Sequence, residues 1–75
     1  MRTPRLDPDR VIKARYNQGL TATELAKRSG LSKQLISQIE HGRRAGSVET
    51  QKAIADALGV LPADLWSDLE QEVAS

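Results

Sequence analysis

Lys33, Gln34, Ser37, Gln38 and His41 stand at i, i+1, i+4, i+5 and i+8, the spacing of one continuous face on an α-helix. Their side chains are polar, long or small, and most both donate and accept hydrogen bonds. Such a face suits the edges of base pairs: glutamine matches the donor and acceptor of adenine, and lysine the O6 and N7 acceptors of guanine. An ordinary solvated helix face has the same composition, so the face alone decides nothing. Arg43 and Arg44 follow it closely, and a guanidinium pairs well with phosphate oxygens.

Other chemistries find no residues to carry them. His41 is the only histidine, Glu40 beside it points elsewhere on the helix, and there is no cysteine. That leaves no disulfide staple, no thiolate metal site and no local partner for a nucleophile. Ser32 and Ser47 read as helix caps, and the five glycines each sit at a helix end or in one loop, so no phosphate-cradling glycine loop is present. No enzyme activity, metal or cofactor is expected. The only aromatics, Tyr16 and Trp66, are too few to stack the bases of a single strand. Pro4, Pro8 and seven charged residues among the first twenty leave no signal-peptide core. Apolar runs fall far short of the ~20 residues that span a bilayer. A soluble, cytoplasmic protein without membrane association is expected.

The net charge of +1 conceals a polarised chain. Residues 1–45 hold ten basic and four acidic side chains, a balance of +6; residues 46–75 hold one basic and six acidic, a balance of −5. Such a molecule can present one end to a polyanion and keep the other away.

The elements that must position these residues are helices, since nothing alternates with the period of a strand. Seventy-five residues support one domain with one small core. Asp7-Pro8 reads as an N-cap followed by proline at the first helical position, with Leu6 and Val11 as a hydrophobic staple. That helix is expected to stop near Gln18, before Gly19. Thr21 and Glu24 form a capping box for a second helix, which ends near Ser29 before Gly30. Ser32 caps a third, running to about His41, and Ser47 caps a fourth, ending at Gly59. Pro62 opens a fifth, although Leu61 is a poor cap in front of it. The chain thus divides into a flexible basic arm over residues 1–6, a helical domain over 7–66, and a helix extension or tail over 67–75.

Only Gly30-Leu31-Ser32 separates the second and third helices, which is the short glycine-containing turn of a helix-turn-helix. Ala26 is small where the two helices must cross, Gly30 can take positive φ, and Leu25, Leu31, Leu35, Ile36 and Ile39 face inward. This placement leaves the polar face of the third helix outward. The short turn, the arginine pair and the basic amino-terminal stretch together favour nucleic acid over a merely solvated face.

The stretch GLTATELAKRSGLSKQLISQIEHGRR, followed by SVETQKAIADALGVLPADLW, resembles the Cro/C1-type (XRE-family) helix-turn-helix proteins of phages and bacteria. The similarity covers roughly residues 10–66. It implies an all-α, lambda-repressor-like bundle of about five short helices, with the helix-turn-helix at about 21–41, that binds double-stranded operator DNA as a symmetric dimer. It implies base reading by Lys33, Gln34, Ser37 and Gln38, and phosphate contacts by Thr21, Thr23, His41, Arg43 and Arg44. It also implies an internal ion pair between Arg15 and Glu40. The sequence departs from the family pattern at three places. Ala22 stands where many members carry a phosphate-touching glutamine, Leu61 replaces a serine-like cap, and Gln51-Lys52 stand where leucines are frequent, which predicts thinner packing around the fourth helix.

Leu65, Trp66, Leu69 and Val73 make an apolar stripe if the fifth helix continues to about Val73. A dimerisation seam is its leading reading. Part of the stripe, Leu65 and Trp66, is also expected to close the small core; core closure only and a foreign protein partner are the alternatives. The expected function is a sequence-specific transcriptional regulator, a small homodimeric repressor. Its alternatives are the antitoxin of a toxin–antitoxin pair, binding both DNA and a toxin, and an adaptor using the fold for protein contacts alone.

Overall fold

The computed structural model describes residues 5–67. Helices α1 (Pro8–Asn17), α2 (Ala22–Ser29), α3 (Lys33–Glu40) and α4 (Val48–Leu58) are followed by one 3₁₀ turn, Pro62–Leu65. Each α-helix begins where a short polar side chain can take up orphan amides. The Asp7 carboxylate accepts from the Asp9 amide at 3.0 Å, the Ser32 hydroxyl from Leu35 at 3.0 Å and the Ser47 hydroxyl from Thr50 at 3.2 Å. Gly30 and Gly59 end α2 and α4 in the left-handed conformation.

The caps fix where each helix starts, and the spacing of its apolar residues decides which stripe turns inward. α1 contributes Val11, α2 Leu25 and Ala26, α3 Ile36 and Ile39, and α4 Ile54, Ala55 and Leu58 to one core. Leu20 closes it from the α1–α2 connection. Leu31 and Leu35 pack half-buried against its edge. Full burial of an aliphatic side chain of this kind contributes about 1.5–3 kcal/mol, so a core of this size depends on every member.

The carboxy-terminal part differs from expectation. The fifth helix is, among the described residues, a single 3₁₀ turn, and Trp66 after it is extended. Leu61 offers no side-chain cap, and the chain beyond the turn is used otherwise: Trp66 pairs with Leu6 in an isolated antiparallel bridge. The Asp7 amide donates to Leu65 O at 2.7 Å and the Ser67 amide to Arg5 O at 3.1 Å. Leu6 is therefore 4% exposed and belongs to the core, not to an arm as the sequence suggested. Leu65, named with the dimer seam but also expected to close the core, is 1% exposed and does the latter, so it is not free for a seam. Leu69, Val73 and the continuation of the stripe lie outside the described residues. No helix among the described residues is long and apolar enough to cross a membrane.

Candidate nucleic-acid interface

α2 and α3 meet through a turn whose geometry depends on Gly30. Its φ of 73° is open to glycine at no steric cost, and the Leu31 amide then donates back to Ala26 O at 3.1 Å. Ala26, 5% exposed, belongs to the shared core on the α2 side of this junction. The amino end of α2 is closed by a reciprocal box: the Glu24 amide donates to the Thr21 hydroxyl at 3.1 Å, and the Thr21 amide to the Glu24 carboxylate at 2.9 Å. The Thr21 amide donating to it, and then the Thr21 hydroxyl, hold the Glu24 carboxyl below its ordinary range.

The far end of α3 is fixed by a charge pair. Arg15 Nε donates to Glu40 Oε2 at 2.8 Å, Nη2 to Glu40 Oε1 at 3.0 Å and Nη1 to Leu20 O at 3.0 Å. The two side chains are 11% and 9% exposed. The Glu40 carboxylate raises the guanidinium above its ordinary range, against the opposing effect of desolvation. One arginine thus ties α1 to the end of α3 and to the connection that enters α2. Its guanidinium also lies 4.9 Å from the centre of the exposed Tyr16 ring.

With both ends of α3 held, Lys33, Gln34 and Ser37 are exposed and Gln38 is half-buried on its outer face. His41 follows as the C-cap, and its Nδ1 lies 2.7 Å from Ser37 O. A carbonyl only accepts, so Nδ1 carries the proton in this contact and Nε2 is the ring's other polar atom. Ser37, Gln38, His41 and Arg43 line one shallow surface depression. Arg44 lines another with Arg5, Asp7 and the helix-opening Pro8. Thr21 and Thr23 are exposed at the start of α2. Arg43 therefore shares one surface with the polar residues at the end of α3, while Arg44 lies in the neighbouring depression beside Arg5 and Asp7. Among the described residues no group of carboxylates or imidazoles is arranged to hold a metal ion.

Sequence reasoning overlooked the backing of that loop. Gln51, expected to leave thinner packing, is 3% exposed on the α4 stripe that also carries Ile54, Ala55 and Leu58. Its Nε2 donates to Gly46 O at 3.1 Å, and its Oε1 accepts from Trp66 Nε1 at 3.0 Å. A polar residue at a core position of the helical repeat was the available signal.

A glycine-containing turn between two short helices, the second with a polar outward face beside basic residues, defines the helix-turn-helix class of DNA-binding domain. The chain belongs to the helix-turn-helix family, in its Cro/C1 type: the family model matches residues 11–65. It is 43% identical over 57 residues to y4dJ of Sinorhizobium fredii, an uncharacterised HTH-type transcriptional regulator, with 76% of this chain and 74% of the relative covered. Its fold matches the restriction–modification controller protein C.AhdI of Aeromonas hydrophila with a TM-score of 0.75 at 31% identity, covering 77% and 88% of the two chains. The DNA-binding domain of the P22 C2 repressor matches with a TM-score of 0.76 at 26% identity, covering 85% and 84%. The family is one of DNA-binding transcription regulators, which are not enzymes.

Proposed function

We propose that this regulator is a homodimeric repressor that reads a specific operator with α3 in the major groove. The observation that carries the reading is the α3 surface: Lys33, Gln34 and Ser37 are exposed on one helix face with Gln38, and Ser37 and Gln38 share a depression with His41 and Arg43. Glu40, the one acid on α3, is turned inward onto Arg15. In this motif the first residues of the second helix meet base edges, so Lys33 and Gln34 lie nearest the groove floor and Ser37 and Gln38 one turn along. Thr21, Thr23, His41, Arg43 and Arg44 contact phosphates on either side, which fixes register without carrying sequence information.

Repression follows from a compact domain that occupies its site, and the P22 C2 domain matched in fold is by its name the DNA-binding domain of a repressor. A second copy would supply the second half-site. The candidate seam is Trp66 with the carboxy-terminal Leu69 and Val73, and Leu69→Glu with Val73→Glu should then sediment as monomers. Binding to duplex DNA over a salt series tests the phosphate assignments. The logarithm of affinity should fall with slope about −0.9 per neutralised phosphate, and Arg43→Ala should flatten it by about one unit. An affinity independent of salt would overturn the reading.

A further inference from the structure

The loop between α3 and α4 carries Arg43 and Arg44, and its two ends are held in different ways. At the α3 end the main chain does the work: the Gly42 amide donates to Ile39 O at 3.1 Å and the Arg43 amide to Gln38 O at 2.8 Å. Arg43 therefore moves with α3. At the α4 end the Leu6 amide makes a long bond to Ala45 O, 3.4 Å, and the Gly46 carbonyl is gripped by Gln51. Gly46 has φ 82°, and a Cβ there would stand 3.1 Å from Leu6 Cδ1, so the loop lies close on its backing.

The Gln51 amide is fully determined by its partners. Gly46 O only accepts and Trp66 Nε1 only donates, so the nitrogen must face the loop and the oxygen the indole. An apolar side chain of similar length would fill the same place on the α4 core stripe. What glutamine adds there is the tie. Among the described residues no buried side-chain polar atom lacks a partner, so this amide is part of a satisfied network rather than a packing fault.

We infer that Gln51 is a positioning residue for the DNA-contacting loop: by joining the Gly46 carbonyl to the Trp66 indole, it holds Arg44 in register with the outer face of α3. The inference rests on the proposed reading of Arg43 and Arg44 as phosphate contacts. A binding group held by a loop needs a rigid support, because a displacement of about 1 Å forfeits a hydrogen bond to a fixed oxygen. Arg44 lies between the two anchored ends. Release of the Gly46 end would loosen Arg44 first and leave Arg43, which is tied to α3, in place.

The test is a double-mutant cycle between Gln51→Met and Arg44→Ala, read as the dissociation constant for a mixed-sequence DNA duplex over a salt series. Methionine keeps the unbranched length of glutamine and removes the hydrogen bonds to Gly46 O and from Trp66 Nε1. Arg44→Ala alone should weaken binding and flatten the salt slope by about one unit. Gln51→Met should raise the dissociation constant about fivefold, within the roughly 2- to 30-fold span of mutations that act through another residue, and flatten the slope. It should add nothing in the Arg44→Ala background. Fluorescence of Trp66, the only tryptophan, should shift as its N–H loses its partner. All binding is measured below the thermal midpoints of the variants. Should Gln51→Met not fold, Trp66→Phe cuts the tie at its other end while keeping a ring, and the same cycle is read on it. An unchanged dissociation constant, or an equal loss with and without Arg44, overturns the inference. If Arg44→Ala itself leaves affinity and slope unchanged, the phosphate reading of the loop falls instead, and the inference with it.

Discussion

Replacing Arg15 by methionine should be among the most damaging single changes in the domain. The guanidinium makes three hydrogen bonds of 2.8–3.0 Å, two to Glu40 and one to Leu20 O. The side chains of the pair are 11% and 9% exposed, which removes them from the regime of surface pairs worth about 0–1 kcal/mol. Loss of one partner from a buried pair costs about 3–5 kcal/mol, chiefly because the other charge stays behind without compensation. A domain of this length has a total stability of about 4–11 kcal/mol at the usual value per residue. Arg15→Met therefore removes about a quarter of it or more. At about 4–8 °C per kcal/mol the thermal midpoint should fall by at least ~12 °C. Methionine preserves most of the apolar stem, so the loss is electrostatic. Circular-dichroism melts of Arg15→Met, Glu40→Met and the double variant check the reasoning. The double variant, with no stranded carboxylate, should be more stable than the sum of the two single losses implies. A midpoint unchanged in Arg15→Met, or strictly additive losses, would show that the two charges are independent and refute the argument.

Acid should weaken the start of α2 through Glu24. Its folded-state value is lowered, so its contribution is fully present above the ordinary 4.5 and disappears as pH falls through the lower folded value. Glu24→Gln keeps an acceptor for the Thr21 amide, and in pH-dependent melts it should flatten the acid limb below that point; an unchanged limb would show that the box carries no charge dependence. Leu65→Ala should destabilise by about 2–5 kcal/mol in denaturant titration, the range for emptying a fully buried leucine site. A loss under 1 kcal/mol would mean that the 3₁₀ turn is not part of the cooperative core.

The elements that sequence made legible are those whose causes are local. Thr21 and Glu24 are three residues apart, and Ser32, Ser47, Gly30 and Gly59 act within one turn of their own helices. The outer face of α3 was readable for the same reason, as a periodicity along eight or nine residues. The carboxy-terminal end was not. Pro62 opens a single turn, and the chain after it is extended where Trp66 pairs with Leu6, sixty residues before it in the sequence. Gln51 looked like a weak spot because glutamine is polar, and its partners Gly46 and Trp66 come together only in the folded chain. Arg15 and Glu40 stood twenty-five residues apart, and only the family resemblance linked them before the structure placed them 2.8 Å apart.

The central claim is that α3 reads base pairs, and selection of binding sites from random duplex DNA by the parent protein and by Gln34→Ala tests it most directly. The parent should select two symmetric half-sites whose centres lie ~10–10.5 bp apart or a multiple of that. Gln34 is exposed and uncharged, so its removal should leave folding and nonspecific affinity nearly intact. It should relax preference at one base pair in each half-site, by about 1–3 kcal/mol of discrimination. Selection of the same sequences with unchanged preference at every position by Gln34→Ala, and again by Gln38→Ala, would contradict the account: α3 would not be the reading element.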